Sequence, residues 1–340
     1  MKLCCGIATG ACVALLDPKI EVIDLRKYRV VRALLPLCAV IRRTQPDAVY
    51  STMQHANIIA ALACRLSGIN TKLVLREAVS VHQISEYSSV MQIVLKRLTK
   101  FSYRYADHII SVSEGVQRDL LIFLGYTRLE PAQLQRFQVI YNPIDPELKI
   151  RALEPMRPSP DLAIKDLPFV IGIGRLSKHK DFKTLIKAVS IVQRTHTIGV
   201  VILGEGEERN ALEVLAAKLG VNTIFMPGFV DNIYPFLRHA SVFVLSSRNE
   251  GLPNVLIEAQ AMGLPLVATR CPSGPEEILD HGQLGELVPV GDATAMAAAI
   301  ELQLTKNPPE NYDEHVRTIQ TRYELDSIVD RYLHAGGLQY

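Results

Sequence analysis

The sequence predicts an α/β protein built from two doubly wound parallel-sheet domains, and three observations carry that expectation. Short β-branched runs alternate with longer helical stretches from end to end, the pattern of parallel sheets with helical crossovers. The 340 residues are enough for two hydrophobic cores. Between Asn142 and Asp166 the periodicity breaks at Pro143, Pro146, Pro155, Pro158 and Pro160, with Pro168 just beyond, and a fresh βα series then begins.

In the first half, Ile20–Asp24, Asp47–Ser51, Lys72–Arg76 and His108–Val112 read as strands, with helical patterns near 30–44, 54–67, 87–104 and 114–123. In the second half the strands are Phe169–Ile173, Gly199–Leu203, Thr223–Met226, Val242–Leu245, Pro265–Ala268 and Glu286–Pro289, again separated by helices. A first Rossmann-like domain is placed over 1–145 and a second over 146–310. The segment 311–340 carries one helical pattern, at about 311–335, expected to pack back toward the first domain. Ligands of such sheets bind outside the carboxyl ends of the strands. The positions to examine therefore follow Ile173, Leu203, Leu245 and Ala268.

The composition, 48% hydrophobic and 21% charged, is that of an ordinary globular protein and excludes a disordered or fibrous chain. Residues 1–150 hold 19 Lys and Arg against 12 Asp and Glu, whereas the remainder holds 18 against 23. A basic first half suits an anionic partner, either a membrane surface or a phosphorylated ligand; scattered solvated charge is the plain alternative. The six cysteines, Cys4, Cys5, Cys12, Cys38, Cys64 and Cys271, show neither a C-x-x-C pair nor zinc spacing, which reads as a reduced, cytoplasmic chain. The nine histidines are equally dispersed, so no metal is expected. Lys2 followed by the uncharged stretch Leu3–Leu16 imitates a secretory signal. Gly6, Thr9 and Gly10 dilute its hydrophobicity, however, and no small-x-small cleavage site precedes Asp17. It is also shorter than the ~20 apolar residues of a membrane span.

Five loops at strand ends carry chemistry. After Phe169–Ile173 comes Gly174-Arg175-Leu176-Ser177-Lys178-His179-Lys180-Asp181, where a guanidinium fork and an ammonium five positions apart can converge on a diphosphate. After the next strand, Gly204-Glu205-Gly206-Glu207-Glu208 allows a tight turn and close ligand approach, although alone it reads as a plain turn. Pro227-Gly228-Phe229-Val230 can offer an apolar wall to a planar base. Ser273-Gly274-Pro275-Glu276-Glu277 opens a helix and, alone, reads as a cap with acidic residues facing the helix dipole. The most informative stretch is Arg248-Asn249-Glu250-Gly251-Leu252-Pro253-Asn254-Val255-Leu256-Ile257-Glu258. It puts one carboxylate before a helix and a second within it, beside backbone N–H groups free to hold phosphate. The helix is apolar nearly all round, which predicts burial, and a buried Glu258 requires a partner.

In this order the motifs G-R-L-x-x-x-K, G-x-G-x-E, P-G-F-V, S-S-R-x-E-G-x-P-N-x-x-x-E-A-x-A-x-G and P-S-G-P-x-E-I resemble the retaining glycosyltransferases of family 4. The resemblance is strong over about 139–300, looser over 20–140, and implies the GT-B fold, two Rossmann-like domains facing a cleft. It implies that Arg175 and Lys180 bind the donor diphosphate and that Glu250 contacts sugar hydroxyls. The backbone of Gly251, Leu252, Pro253 and Asn254 would cradle phosphate, and Glu258 would hold the ribose. Gly174 and Gly204 would let the donor approach, with Phe229 and Val230 beside the base. It further implies transfer from a UDP- or GDP-sugar with retention, leaving and attacking groups sharing one face, and no metal. The acceptor would be a polysaccharide or a lipid-linked glycan, met in the cytoplasm or at the inner face of the membrane, with no nucleic-acid partner.

The first domain departs from the family pattern. Gly6-Ile7-Ala8-Thr9-Gly10 follows no β-like run, so the opening strand and glycine-rich loop of a typical member, roughly 40–50 residues by ordinary βαβ lengths, are expected to be missing. That bears on catalysis more than on donor binding. Acceptor-side candidates are His55, at the start of a helix after a strand, and Glu77, at the end of Lys72–Arg76, with Ser113-Glu114-Gly115 at an equivalent strand end. Asn142-Pro143-Ile144-Asp145 resembles the family's interdomain turn. Two other readings stay open: a shortened, non-catalytic nucleotide-sugar binder, and a nucleotide-sugar epimerase or phosphorylase on the same fold.

Overall fold

The computed structural model describes residues 1–8, 16–27, 29–79, 89–126, 130–157, 167–306 and 312–338. Thr9, Gly10, Cys12, the start of the helix expected at 87 and the linker prolines Pro158 and Pro160 lie outside the described residues. The chain divides into two compact units. One comprises Met1–Val112, Val116–Ile140 and Val329–Tyr340; the other comprises Ser113–Gly115 and Tyr141–Ile328.

In the first unit, β3 (Ala48–Thr52), β4 (Lys72–Glu77), β5 (His108–Ser111) and β6 (Phe137–Val139) form a four-stranded parallel sheet in that order. Helices Gln54–Ser67, Ser89–Tyr103 and Glu114–Leu124 connect successive strands, and Leu34–Thr44 precedes β3. Ile41, Ala63, Leu75, Ile109, Leu120 and Phe137 belong to one buried core. A separate pair, β1 (Lys2–Cys5) and β2 (Glu21–Asp24), runs parallel with Leu3 opposite Val22.

That pair overturns the expectation that no strand precedes Gly6. β1 is only four residues long and shows no alternation, and its apolar residues merge into the uncharged stretch that follows, so nothing sets it apart. Its ladder and the Lys2–Glu21 ion pair, 2.7 Å, hold it instead. β6 is likewise unmarked in the sequence, because three residues directly after the helix Pro131–Arg136 present no period of their own.

The second unit is a six-stranded parallel sheet in the order β12 (Glu286–Val288), β11 (Leu266–Thr269), β10 (Val242–Leu245), β7 (Phe169–Ile173), β8 (Gly199–Leu203), β9 (Ile224–Gly228). Every residue of β7, β8, β10 and β11 is buried, as a parallel sheet covered on both faces requires. Val170, Leu185, Val200, Val244 and Ile300 share its core. Strand order reverses at β7: β8 and β9 extend one way and β10 to β12 the other. The loops after β7 and β10 therefore diverge from neighbouring strands, and a crevice opens there at the carboxyl edge.

The terminal helical pattern is two helices rather than one, Tyr312–Arg322 and Leu325–Ala335. The break falls at Tyr323, whose buried ring anchors the turn and whose carbonyl accepts from the Ile144 N–H at 3.0 Å. The carbonyl is thereby diverted from a helical ladder.

Glu77 ends β4 and is only 3% exposed. The Asn57 amide nitrogen lies 3.2 Å from its Oε1, 2.9 Å from the Arg76 carbonyl and 2.9 Å from the Tyr103 hydroxyl. Burial pushes the Glu77 carboxyl up to about 8, against the smaller opposing pull of Asn57 and Arg76. A raised acid favours its protonated form in the folded state. Its contribution is therefore greatest in acid and is lost as pH rises from the ordinary carboxylate range toward 8. Glu77→Gln is expected to remove that loss and stabilise the chain at pH 7 by up to about 3 kcal/mol. Unfolding curves of both proteins at pH 5 and pH 8 check this: a gap that fails to widen with pH would mean Glu77 is charged in the fold.

Candidate functional site

The loops after β7 and β10 are tied together at the point where strand order reverses. Lys180 Nζ meets Glu250 Oε1 at 2.6 Å, and the hydroxyl of the buried Ser247 donates to the same oxygen at 2.6 Å. Both bonds fall on Oε1, and the pair is largely shielded, with the side chains of Lys180 and Glu250 23% and 11% exposed. The backbone reinforces it: Ser246 Oγ donates to the Lys180 carbonyl at 2.7 Å, and the Arg248 N–H donates to the His179 carbonyl at 2.7 Å. Arg248 also pairs with the buried Asp181 at 2.7 Å.

The glycines explain how these loops come so close. Gly204 has φ +140°, and a Cβ there would stand 2.0 Å from the Gly174 carbonyl oxygen. Gly174 in turn lies under the aliphatic stem of Lys180, with a built Cβ 3.1 Å from Cε. The Leu176 N–H donates to the Glu205 carbonyl and the Glu208 N–H to the Leu176 carbonyl, each at 2.9 Å, so the β7 and β8 loops run as one strap. On that strap Arg175 is exposed and pairs with Glu207 at 3.2 Å. Glu205 pairs with Arg209 at 2.6 Å, and Glu208 pairs with Lys183.

The second carboxylate sits on the helix Asn254–Ala261, where Leu256, Ile257, Ala259, Gln260 and Ala261 are buried. Glu258 is partly buried, and the Tyr234 hydroxyl lies 3.4 Å from its Oε1. Burial raises the Glu258 carboxyl above its ordinary range, with the Tyr234 hydroxyl opposing. Gly251, Leu252 and Pro253 are buried ahead of the helix; Asn254 is exposed and its Oδ1 accepts from Asn142 at 2.7 Å. The Ser113 hydroxyl donates to the Gly251 carbonyl at 2.9 Å. The Glu277 carboxylate accepts from the Glu114 N–H at 2.9 Å and from the Tyr141 hydroxyl at 2.6 Å, so it serves backbone and ring groups beyond its own helix.

Lys180 and Glu250 are thus in contact, and Gly174 and Gly204 abut. Arg175 faces Glu207, and Glu258 faces Tyr234. Phe229, at the end of β9, is 72% exposed, while the adjacent Val230 is buried. In the first unit, His55 is the exposed second residue of the helix Gln54–Ser67, and Glu77 ends the neighbouring strand. Ser247 and Tyr234 were not singled out from the sequence, and Glu207 stood in the glycine loop after β8 without a role of its own. The Ser246-Ser247 pair inside the longest motif was the available signal for the first; Tyr234 is brought in only by the tertiary fold. Among the described residues no three His, Cys, Asp or Glu side chains converge as a metal site would need.

Two Rossmann-like units, the second with its glycine-bearing loops at the strand-order reversal, define the GT-B class of α/β proteins. The chain belongs to the glycosyl transferases group 1: residues 159–320 match that family, and residues 14–148 match glycosyltransferase family 4. It is 37% identical over 171 residues to the lipopolysaccharide core biosynthesis glycosyltransferase LpsE of Rhizobium meliloti, an alignment covering 49% of each chain. The chain therefore spans about half the length of that relative. It is 30% identical over 260 residues to a Campylobacter jejuni 4-alpha-N-acetylgalactosaminyltransferase acting on a diphospho-undecaprenol-linked disaccharide, covering 76% of this chain and 67% of that one. The Anabaena protein HepE, crystallised with UDP-glucose, shares the fold at a TM-score of 0.76 and 22% identity, covering 98% of this chain and 90% of that one.

The strap makes a direct prediction. Gly204→Ala forces a Cβ into a backbone carbonyl and is expected to destabilise the second unit by more than about 3 kcal/mol. Gly220→Ala, at φ +73° with nothing within 4 Å of the built Cβ, should lose only the left-handed preference, about 1 kcal/mol. Urea unfolding of the two variants side by side tests this; equal losses would mean that the β7–β8 strap yields freely.

Proposed function

We propose that this chain transfers a sugar, with retention of configuration, from a nucleoside diphosphate sugar to a lipid-linked or polysaccharide acceptor without using a metal. The observation that carries the reading is the Lys180–Glu250 pair at the strand-order reversal. An ammonium and a carboxylate held in one shielded crevice can grip the two halves of such a donor. Lys180, with Arg175, neutralises charge that grows on the departing diphosphate. Glu250 accepts hydrogen bonds from sugar hydroxyls while Lys180 and Ser247 fix its position.

Other groups fit the same donor. The backbone N–H groups at the start of the helix Asn254–Ala261 suit a phosphate. Glu258, one turn into that helix, can accept from ribose hydroxyls, with Tyr234 holding its carboxylate. Phe229, exposed at the end of β9, offers a ring for a base to lie against. Arg175 and Lys180 supply cationic charge where a metal would otherwise stand, which supports metal independence. HepE crystallised with UDP-glucose supports a UDP-sugar over a GDP-sugar. Relatives named for lipopolysaccharide core synthesis and for a diphospho-undecaprenol acceptor support a lipid-linked glycan. Such an acceptor would be met by a cytoplasmic protein at the inner face of the membrane. No helix among the described residues is long and apolar enough to cross that membrane.

Transfer of labelled sugar from a panel of UDP- and GDP-sugars into membrane extracts tests the reading. Activity is expected to survive EDTA, and Lys180→Ala and Glu250→Ala are each expected to lower kcat/KM by about 100-fold or more. Full activity in both variants would remove the assignment, and abolition by EDTA would remove the metal-free step. Independently, Glu258→Gln is expected to weaken UDP binding by about 10- to 100-fold, the worth of hydrogen bonds to a charged acceptor. Because burial raises the Glu258 carboxyl, wild-type affinity should fall in mild acid, above the pH at which an ordinary carboxylate protonates. Calorimetry across pH measures both; an affinity insensitive to the substitution would place the ribose elsewhere.

A further inference from the structure

The turn Asn142-Pro143-Ile144-Asp145 ends on a carboxylate whose two oxygens have different partners. Asp145 Oδ1 accepts from the Glu147 N–H at 2.8 Å and so fixes the turn into the short helix Leu148–Arg151. Its Oδ2 pairs with Arg151 Nη1 at 2.6 Å, across that same helix. The Arg151 guanidinium lies 5.2 Å from the centre of the Tyr234 ring, and its Nη2 approaches the Asp231 carbonyl at 3.4 Å. Asn232 joins the same two residues through their backbones. Its amide nitrogen donates to the Arg151 carbonyl at 2.9 Å, and its Oδ1 accepts from the Tyr234 N–H at 3.2 Å. Asp145, Arg151, Asn232, Tyr234 and Glu258 all belong to the second unit.

These contacts lead to Glu258. Tyr234 is only 4% exposed, and burial holds its phenol well above the usual range, so the hydroxyl keeps its proton to present to Glu258 Oε1 at 3.4 Å. A guanidinium over an aromatic face is drawn to it electrostatically, which seats the ring as well as the cation. Among the described residues the charged groups acting on Glu258 are Asp145 and Arg151, with Tyr234 the other titratable group. The helices Tyr312–Arg322 and Pro275–Ile278 pack on the helix of Glu258 and bond to it through neutral groups. Gln320 donates to the Ala261 carbonyl at 2.9 Å, and Gln260 donates to the Ile278 carbonyl at 3.2 Å. Burial raises the Glu258 carboxyl and the Tyr234 hydroxyl lowers it, while the two members of the ion pair act in opposite directions, Asp145 raising it and Arg151 lowering it.

We propose that Arg151 is a positioning residue of the donor site: seated on the Tyr234 ring and tethered by Asp145, it holds the Tyr234 hydroxyl against Glu258 and favours the carboxylate that receives the donor's hydroxyls. The inference deepens the reading above and rests on it in that Glu258 holds the ribose. Loss of Arg151 removes a cation that favours the charged form, so the Glu258 carboxyl gives up its proton at a higher pH. Loss of Asp145 removes an anion that disfavours the charged form, so the proton leaves at a lower pH. Arg151 then keeps the Tyr234 ring, the Asp231 carbonyl and Asn232 as partners. A pair with a purely structural role would move Glu258 in one direction whichever member is lost, because either loss slackens the same turn.

Two measurements on the full chain test this. The first follows the Glu258 titration without nucleotide, through the carboxyl carbon resonance of glutamate-labelled protein that disappears in Glu258→Gln. Its midpoint is expected to rise in Arg151→Gln, to fall in Asp145→Asn, and to stay near the wild-type value in Arg151→Lys, which keeps the charge. The second is calorimetry with UDP. Arg151→Gln should weaken binding by about threefold to tenfold in mild acid and by less at pH 8, where Glu258 is charged in both proteins. Arg151→Lys should restore the acid limb. Midpoints that move as expected, beside UDP affinity indifferent to Glu258→Gln, would keep the hold of Arg151 on Glu258 while the ribose assignment failed. Affinity that does need Glu258, beside midpoints unmoved or moved the same way in Arg151→Gln and Asp145→Asn, overturns the proposal. So does an equal loss of affinity at every pH that Arg151→Lys fails to rescue, which would put the guanidinium on the ligand itself. Where thermal unfolding shows that Arg151→Gln has lost its fold, Asp145→Asn and Arg151→Lys decide: a fall in the first against an unchanged second supports the proposal, and equal midpoints overturn it.

Discussion

The constraint on which the second unit depends is the contact between an ammonium and a carboxylate at the one place where its sheet reverses order. β7 and β10 are neighbours, yet their following loops head in opposite directions. Nothing in the sheet ladder itself holds those loops together. Lys180 and Glu250 close the gap at 2.6 Å, and Ser247, on the same loop as Glu250, fixes the receiving oxygen. Charges this shielded are expensive to desolvate, and a lone carboxylate there would be poorly accommodated. The pair is therefore mutually required, and the geometry of the crevice follows from it. The abutting glycines of the strap, the bonds from Ser246 and Arg248 into the β7 loop, and the Arg248–Asp181 pair all serve to keep those two side chains at one distance.

A second consequence concerns charge. The site answers its own cations: Lys180 with Glu250, Arg175 with Glu207, Lys183 with Glu208 and Arg209 with Glu205. These pairs differ in how readily they open. Arg175 and Glu207 are both well exposed, so water and salt already screen their attraction and the guanidinium is free to exchange partners. Lys180 and Glu250 are shielded, so their attraction is stronger and their positions are fixed. The strap therefore carries a cation that can change partners, and the crevice carries one that is held in place.

What could be read from the sequence follows the same physics. β7, β8 and β10 were legible because a parallel sheet buried on both faces needs continuous apolar runs, and those runs are local. The burial of the helix after Glu250 was legible from its apolar circumference, and the need of Glu258 for a partner followed. The identity of that partner did not. Tyr234 lies 24 positions away and is brought there by the β9–β10 connection. β1 and β6 escaped because strands of four and three residues give periodicity too few points to register. The two terminal helices merged into one because Tyr323 is apolar enough to continue the pattern; the carbonyl it directs to Ile144 is a tertiary event.

Two carboxyls raised by burial, Glu77 at the end of a strand in the first unit and Glu258 within a helix of the second, illustrate one argument with opposite endings. Each is placed where its charged form is disfavoured. Glu77 is almost wholly enclosed, and the Asn57 N–H donating to it offsets only part of the cost of burying its charge, so the proton stays until the solution is mildly alkaline. Glu258 keeps partial access to solvent and has a hydroxyl pointing at it, so its carboxylate form has a donor to lean on. A fold selected for stability alone would replace both by neutral side chains. Carboxyls held above their ordinary range by burial cluster at functional sites, although structural ones occur as well. Enclosure keeps Glu77 protonated as a packing element, whereas partial access and the Tyr234 hydroxyl leave Glu258 closer to its carboxylate form.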